Sequence, residues 1–204
     1  MTKALVIGLG SVGARHARIL SELGCAVSVV SRRPVDGYDR YADLDGALQQ
    51  VAPDYVVIAN ETAAHMDALQ RLAKSGYDGM VLLEKPLAVQ PGKLPEHRFR
   101  RAAVAYNLRF HPVLAALHKA LVGEVIIAAQ VYCGQYLPDW RPGTDYRSSY
   151  SAKRELGGGA LRDLSHEIDY MMWLFGSWQR LAAMGGRLSG LEIDSDDCWG
   201  ILVK

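Results

Sequence analysis

Several features are scarce in this sequence, and each scarcity excludes a class of protein. The chain has only three cysteines, Cys25, Cys133 and Cys198, at spacings that fit neither a disulfide framework nor a metal site. No apolar run is long enough to span a membrane. The net charge of +1 gives no electrostatic basis for capturing nucleic acid or a membrane surface. We therefore expect no metal, no nucleic-acid partner and no membrane partner.

The N-terminal residues, MTKALVIGLG, enter a strand pattern at once and leave no room for a signal peptide. Of the 204 residues, 50% are hydrophobic and 22% are charged, which is ordinary for a globular protein. We expect a cytoplasmic protein with one large domain or two small ones.

Short apolar strands alternate with helices through the first half of the chain. Strand patterns cover residues 3–8, 26–31, 53–60, 80–84 and 102–107. Apolar strands that alternate with helices predict a parallel sheet covered on both faces. The predicted fold is α/β, with a Rossmann doubly wound sheet over residues 1–112 and a ligand at the carboxyl ends of its strands.

The segment GLGSVG follows the first strand and opens the first helix. Gly8 allows the tight turn, Gly10 lets the backbone approach a pyrophosphate, and Gly13 lets helix and strand pack closely. The start of the helix, with Ser11 and Val12, offers N–H groups and a positive dipole end to phosphates. The segment predicts a dinucleotide site, and a plain glycine turn is the alternative.

The end of the second strand, VVSRRP, bears on which dinucleotide binds. An NAD-preferring site usually has an acid here, whereas this chain has Ser31, Arg32 and Arg33. A hydroxyl and two guanidiniums suit a 2′-phosphate. The pattern favours NADP, and the nearby Asp36 keeps NAD possible.

Residues 82–87, LLEKPL, end a predicted strand of this sheet on two charges. Because ligands bind at the carboxyl ends of the strands in this fold, Glu84 and Lys85 would emerge where the nicotinamide lies. The alternative is an ordinary strand end that meets solvent.

Four motifs, taken in order, resemble the glucose–fructose oxidoreductase/inositol dehydrogenase family (Gfo/Idh/MocA). They are the glycine segment, EKP at 84–86, YNLRFHP at 106–112 and the GGG…D…H…D stretch at 157–169. The resemblance covers nearly the whole chain, and EKP is its most specific mark. It implies an NAD(P)-dependent oxidoreductase that moves hydride between nicotinamide and a hydroxyl or carbonyl carbon of a sugar, sugar nucleotide or polyol.

The resemblance also implies an α+β domain over residues 113–204, with an open, mostly antiparallel sheet. Strand patterns at 124–134, 180–189 and 197–204 agree with this, although family members generally continue further. The family commonly forms dimers or tetramers through this sheet, which implies a homo-oligomer.

In the family, the lysine of EKP lies beside the nicotinamide and the substrate. Lys85 would stabilise alkoxide character and relay or orient the proton. Glu84 would hold the nicotinamide ribose or orient the lysine. Asn60, His65 and Asn107 match residues that line the cofactor, although His65 could equally be a helix-surface histidine.

The resemblance assigns His166 to exchange of the substrate hydroxyl proton, and Asp163 to positioning the substrate or tuning His166. These residues are usually four apart in the family and are three apart here. On a continuous helix either spacing keeps the pair on one face, together with Tyr170. Glu167 or Asp169 is the alternative to Asp163.

The segment 135–155 has little periodicity and is rich in Tyr, Trp and Arg, which predicts a substrate-covering loop. Its candidate substrate residues are Trp140, Arg141, Tyr146, Arg147 and Tyr150. The alternative is an ordered loop packed by its own aromatic side chains. Arg109 and His111, in RFHP, are interpreted as structural.

The sequence therefore predicts an enzyme in which Lys85 and His166, from separate halves of the chain, meet over a bound nicotinamide. The loop favours a sugar nucleotide, as used in polysaccharide synthesis. A non-catalytic NAD(P)-binding or sensor module is the alternative hypothesis. Another Rossmann-type enzyme, such as a methyltransferase, is weaker because Lys85 has no natural role there.

Overall fold

A six-stranded parallel sheet organises residues Met1–Ala105 in the computed structural model, which describes all 204 residues. Its strands are β1 (Lys3–Ile7), β2 (Ala26–Val30), β3 (Asp39–Tyr41), β4 (Tyr55–Ile58), β5 (Met80–Leu83) and β6 (Arg101–Val104). They lie in the order β3-β2-β1-β4-β5-β6, and every neighbouring pair is parallel. This is the doubly wound dinucleotide-binding order, and it confirms the predicted fold.

Helices α1 (Ser11–Glu22), α2 (Leu44–Val51) and α3 (Thr62–Lys74) cover the sheet. Successive strand side chains point to opposite faces, so Leu5 and Val6 belong to two different core clusters. Because both faces of the sheet are buried, β1 is apolar from Ala4 to Ile7 and β4 is apolar from Val56 to Ile58. Asp43 caps α2 by accepting a hydrogen bond from the Gly46 N–H at 2.9 Å.

The connection from β5 to β6, residues 84–100, contains no helix. It is anchored by Phe99, which is buried and stacks on His97 with ring centroids 4.3 Å apart. The residues that follow β5 are therefore held by individual hydrogen bonds rather than by a helix.

The second unit, Tyr106–Lys204, mixes helices with one small sheet. Its helices are α4 (Pro112–Ala120), α5 (Ala160–Asp163) and α6 (Ser165–Phe175). Strands β7 (Leu181–Gly186) and β8 (Cys198–Val203) form an antiparallel pair, as the strand patterns at 180–189 and 197–204 predicted. The units divide after Ala105, whereas the sequence placed a domain boundary after residue 112.

Two predicted strands are wrong in whole or in part. Residues 124–134 form no strand, because no other segment pairs with them, and a strand requires a hydrogen-bonded neighbour. The strand predicted at 102–107 ends at Val104, and Asn107 begins a 3₁₀ turn, Asn107–Phe110. No helix combines the length and the apolar character that crossing a bilayer requires.

Candidate active site

The turn between β1 and α1 is shaped by glycines that act in different ways. Gly8 has φ +88°, and a Cβ there would lie 2.6 Å from the Asn60 Cα. A Cβ on Gly13 would clash with the Gly8 carbonyl oxygen. No atom lies within 4 Å of the position that a Cβ on Gly10 would take. Gly8 and Gly13 are therefore needed for packing, whereas Gly10 faces open space in which a ligand can approach.

Helix α1 begins without a side-chain cap. Its N-cap is Gly10, and its first backbone hydrogen bond runs from the Ala14 N–H to the Gly10 carbonyl. The N–H groups of Ser11, Val12 and Gly13 therefore have no acceptor within the helix. Uncapped N–H groups at the positive end of a helix dipole suit a phosphate.

Asn60 stands at the end of β4, against the glycine turn. Its Oδ1 atom is buried and has no hydrogen-bond partner within the chain. A buried acceptor without a donor is costly, so a donor from a ligand would stabilise this arrangement. Open space at Gly10, uncapped N–H groups and this amide oxygen together fit a dinucleotide.

His65 is buried in α3, with 1% of its surface exposed, so the alternative of a helix-surface histidine is wrong. Its Nδ1 lies 2.9 Å from the Pro86 carbonyl oxygen, and its Nε2 lies 3.1 Å from that of Asn60. Burial lowers the pKa of His65 by more than these hydrogen bonds and Glu84 raise it. His65 therefore joins two loops that follow β4 and β5, and a role toward the cofactor stays a prediction.

The end of β2 carries a basic cluster. The Ser31 hydroxyl accepts from the Arg33 N–H at 3.1 Å and donates to the Arg33 carbonyl at 3.0 Å, which fixes the turn. Arg32 and Arg33 are exposed. Arg40, on the neighbouring strand β3, donates to the Ser31 carbonyl at 3.0 Å. Sequence reasoning missed Arg40, because β3 is only three residues long and has no strand pattern.

Glu84 and Lys85 follow β5 directly, as predicted. The Glu84 N–H donates to the Ile58 carbonyl at 2.9 Å, which extends the ladder between β4 and β5. Glu84 Oε1 accepts from Nε2 of His16, on α1, at 2.7 Å. Lys85 is half-buried and is joined to Pro86 by a cis peptide bond. Sequence reasoning missed His16. The available signal was its position three residues after Gly13, which places it on the same face of α1 as that buried glycine.

The helix that was predicted to carry Asp163, His166 and Tyr170 on one face is interrupted. Leu164 has φ −99° and ψ 25°, so Asp163 ends α5 and His166 lies in the first turn of α6. The prediction that one continuous helix carries these three side chains is therefore wrong. The rings of His166 and Tyr106 meet edge to face, with centroids 5.7 Å apart.

Asp169 has a structural partner. Arg109 donates to its two carboxylate oxygens at 2.8 and 2.6 Å, which joins the 3₁₀ turn to α6. This supports the structural interpretation of Arg109 and leaves Glu167 as the alternative to Asp163. Asn107, at the start of the same turn, is exposed.

The loop 135–155 is ordered by its own contacts and by the segment around Glu192. The Tyr150 hydroxyl donates to the Gly157 carbonyl at 2.7 Å, and Arg147 pairs with Asp145 and Glu192. Trp140, Arg141 and Tyr146 line a cavity of only about 10 Å³, which is too small for a sugar, and Trp140 also lines a larger cavity. Substrate contacts by these residues stay predictions.

A larger cavity, of about 990 Å³, lies within the second unit. Asp163, Glu167 and Met171 line it from the helices, together with β8 and residues 129–137. Glu167 Oε2 is buried and has no hydrogen-bond partner. Burial, followed by the charge and hydrogen bond of Glu167, raises the pKa of the Cys133 thiol.

Two family models match the chain and together cover nearly all of it. Residues 2–99 match the oxidoreductase family, NAD-binding Rossmann fold, and residues 113–204 match the GFO/IDH/MocA C-terminal domain. The chain belongs to the Gfo/Idh/MocA oxidoreductase family. The resemblance predicted from the four motifs is confirmed.

Two curated relatives were found. An uncharacterized oxidoreductase of Synechocystis is 30% identical over 150 residues, which cover 70% of this chain and 40% of the relative. The 2,7-anhydro-N-acetylneuraminate hydratase of Mediterraneibacter gnavus is 26% identical over 196 residues, which cover 89% and 51%. The chain thus spans about half the length of these Gfo/Idh/MocA relatives, or less.

Solved structures share the fold. The WlbA dehydrogenase from Bordetella pertussis, in complex with NADH and UDP-GlcNAcA, has a TM-score of 0.79 and 20% identity, covering 99% of this chain and 66% of that one. GenD2 from gentamicin A biosynthesis, in complex with NAD, has a TM-score of 0.74 and 23% identity, covering 99% and 62%.

Proposed function

We propose that this Gfo/Idh/MocA protein transfers hydride between a nicotinamide cofactor and a hydroxyl or carbonyl carbon of a sugar, sugar nucleotide or polyol. The observation that carries the proposal lies within the first unit. One sheet presents the open glycine turn after β1, the buried Asn60 amide after β4 and the Glu84–Lys85 pair after β5. All three follow the carboxyl ends of parallel strands, where this fold binds dinucleotides.

The chain's own groups would hold the cofactor. The N–H groups of Ser11 and Val12 would bind the pyrophosphate, and the basic cluster after β2 would bind a 2′-phosphate, which favours NADP over NAD. Asn60 Oδ1 would accept a hydrogen bond from the cofactor. The nicotinamide would supply the hydride acceptor or donor when bound.

Lys85 and His166 are the proposed proton-handling residues. An ammonium group beside the reacting oxygen would stabilise alkoxide character as hydride leaves the adjacent carbon. The half-buried imidazole of His166 is a group that can act as a general acid and base, which suits exchange of the hydroxyl proton. Asp163 is proposed to position the substrate, with Glu167 as the alternative.

A sugar nucleotide is the proposed substrate class. The WlbA structure contains UDP-GlcNAcA, and the Arg- and Tyr-rich loop at 135–155 offers groups for an anionic appendage. The relative from M. gnavus is called a hydratase, so the net reaction can differ between members even where the fold is shared.

A non-catalytic NAD(P)-binding or sensor module is the second candidate. It is favoured by one observation: the open glycine turn, the basic cluster after β2 and Asn60 all lie in the first unit. These groups would bind the nucleotide even if the second unit formed no substrate site.

The test is spectrophotometric. Purified protein is titrated with NADPH and NADH, and reduced nicotinamide is then followed by its near-ultraviolet absorbance during incubation with a panel of sugars, polyols and UDP-sugars. The proposal predicts cofactor-dependent turnover with at least one UDP-sugar. A folded protein that binds the nucleotide yet turns over no member of the panel would support the binding module instead.

A further inference from the structure

One hydrogen-bonded pair of side chains in the first unit is not explained by the sheet or by the core. His16, in the second turn of α1, donates from Nε2 to Oε1 of Glu84, just after β5, at 2.7 Å. The two residues are 68 positions apart. Only 22% and 17% of their side chains are exposed, so water screens this pair less than a surface pair.

The pair joins the two segments on which the proposed function depends. His16 lies three residues after Gly13 and four before Leu20, so it shares the inward stripe of α1. That helix presents the uncapped N–H groups of the glycine turn. Glu84 immediately precedes Lys85. The hydrogen bond between His16 and Glu84 therefore connects the proposed phosphate-binding helix to the residue beside the proposed catalytic lysine.

The Glu84 carboxylate also restrains the backbone at Lys85. Its second oxygen, Oε2, accepts from the Lys85 N–H at 3.2 Å. The Glu84 N–H is fixed to the Ile58 carbonyl, and the Pro86 carbonyl is fixed to His65. Lys85 thus lies between two anchored neighbours, and its own N–H is held by the carboxylate that His16 orients.

Electrostatics keep this carboxylate ionised. Burial raises the pKa of Glu84, but the hydrogen bond and charge of His16 and the N–H and charge of Lys85 together lower it further. At neutral pH an anion therefore stands between an imidazole N–H and the lysine. A protonated Glu84 side chain would offer one acceptor fewer and would hold His16 and the Lys85 N–H less tightly.

We propose that His16 is a positioning residue that acts through Glu84 to fix the backbone and side chain of Lys85. This inference rests on the proposed function, because it assigns His16 to the geometry of the proposed catalytic lysine. His16 itself contacts neither substrate nor reacting atoms in this proposal.

Two variants separate positioning from packing. His16→Leu removes the donor, whereas His16→Gln retains an N–H donor near the position of Nε2. We expect kcat of His16→Leu to fall by about 10-fold to 100-fold, with the Kd for NAD(P)H within about twofold of the wild type. His16→Gln should recover most of the loss. Arg18→Gln, on the exposed side of the same helix, is the matched control and should change neither value.

A second readout needs no cofactor. Amide hydrogen exchange of the peptide that covers residues 82–90 should be at least about fivefold faster in His16→Leu than in the wild type, and close to the wild type in His16→Gln. In the Glu84→Gln background, His16→Leu should add little to either effect, because the two residues act as one unit.

The outcomes distinguish this inference from the proposed function. Absence of nicotinamide-linked turnover in the wild type would overturn the proposed function, and this inference with it. Wild-type turnover accompanied by full activity and unchanged exchange in His16→Leu would overturn the inference alone. Equal losses in His16→Leu and His16→Gln, or additive effects with Glu84→Gln, would likewise overturn it.

Discussion

At the scale of single residues, Gly10 and Gly13 have different roles in the same turn. Gly13 is buried, and a Cβ there would clash with the backbone of Gly8. Gly10 has φ −74°, which any residue adopts, and it has open space around it. The spacing of the three glycines predicted the site. Only the structure shows that Gly13 is needed for packing and that Gly10 faces the space where a ligand can approach.

This difference predicts a contrast between two alanine substitutions. Gly13→Ala should lower the free energy of unfolding by about 1–3 kcal/mol, as overpacking does. Gly10→Ala should leave unfolding nearly unchanged but weaken NAD(P)H binding by about tenfold or more, because the methyl group occupies the ligand's approach. Urea unfolding and fluorescence titration measure the two quantities. Equal effects of both variants on stability would contradict the assignment.

The basic cluster after β2 leads to a prediction about cofactor preference. Arg32→Gln should weaken NADPH binding by about tenfold or more and leave NADH binding nearly unchanged, because only NADPH carries the 2′-phosphate. Parallel titrations with both nucleotides provide the measurement. Arg18→Gln, which removes an exposed arginine elsewhere, is the charge-matched control. A similar loss for both nucleotides would argue against a 2′-phosphate contact.

At the scale of elements, the first unit was largely predictable and the second only in part. β1, β2, β4 and β5 are buried on both faces, so their apolar runs stand out in the sequence. β3 was missed because three exposed or half-buried residues carry no periodic pattern. Residues 124–134 have a strand pattern but no neighbour, and whether a strand forms depends on pairing that a local pattern does not report.

The helix break at Leu164 shows a similar limit. The run after the glycines at 157–159 has helical composition throughout, so it was interpreted as one helix. Long-range contacts hold the start of α5: the Ala160 N–H donates to the Asp196 carbonyl, and the Leu161 N–H donates to the Asp196 carboxylate. Neither contact is visible in the local sequence.

His65 links α3 to the loop after β5, and this link leads to a prediction of how stability depends on pH. Since the folded-state pKa of His65 is lowered, the unfolded chain takes up a proton that the folded chain excludes. The free energy of unfolding therefore has its full value above the ordinary histidine pKa of about 6.5. At lower pH it decreases, by up to about 1.4 kcal/mol per pH unit. Urea unfolding between about pH 7.5 and 5.5 measures this slope.

His65→Gln is the control for that slope. It should be less stable than the wild type at neutral pH but should depend less on pH across the same range. The lowered pKa of Glu84 acts only below the ordinary carboxyl range, so it does not contribute in this window. Identical slopes for the wild type and His65→Gln would show that His65 is not the titrating group.

At the scale of the whole molecule, the second unit exposes apolar surface. Met184, on β7, is 83% exposed, and Ile127 and Tyr132 are almost fully exposed. A two-stranded sheet is marginal in water, and exposed apolar patches of this kind commonly mark interfaces. These observations support the prediction of a homodimer or homotetramer.

Light scattering tests this association. Wild-type protein at micromolar concentration should have the mass of a dimer or tetramer, and Met184→Glu should shift the population toward monomer without unfolding. Leu23→Glu, at an exposed leucine of the first unit, should leave the mass unchanged. A wild-type protein that is monomeric throughout, or a Met184→Glu variant with an unchanged mass, would count against an interface on β7.

Comparing Lys85→Met with the wild type, in turnover and in cofactor binding, tests most directly whether Lys85 assists hydride transfer at the carboxyl end of β5. We expect kcat to fall by about 100-fold or more while the Kd for NAD(P)H changes little, because the ammonium group acts on the reacting oxygen rather than on the nucleotide. Turnover by Lys85→Met at the wild-type rate would contradict this expectation.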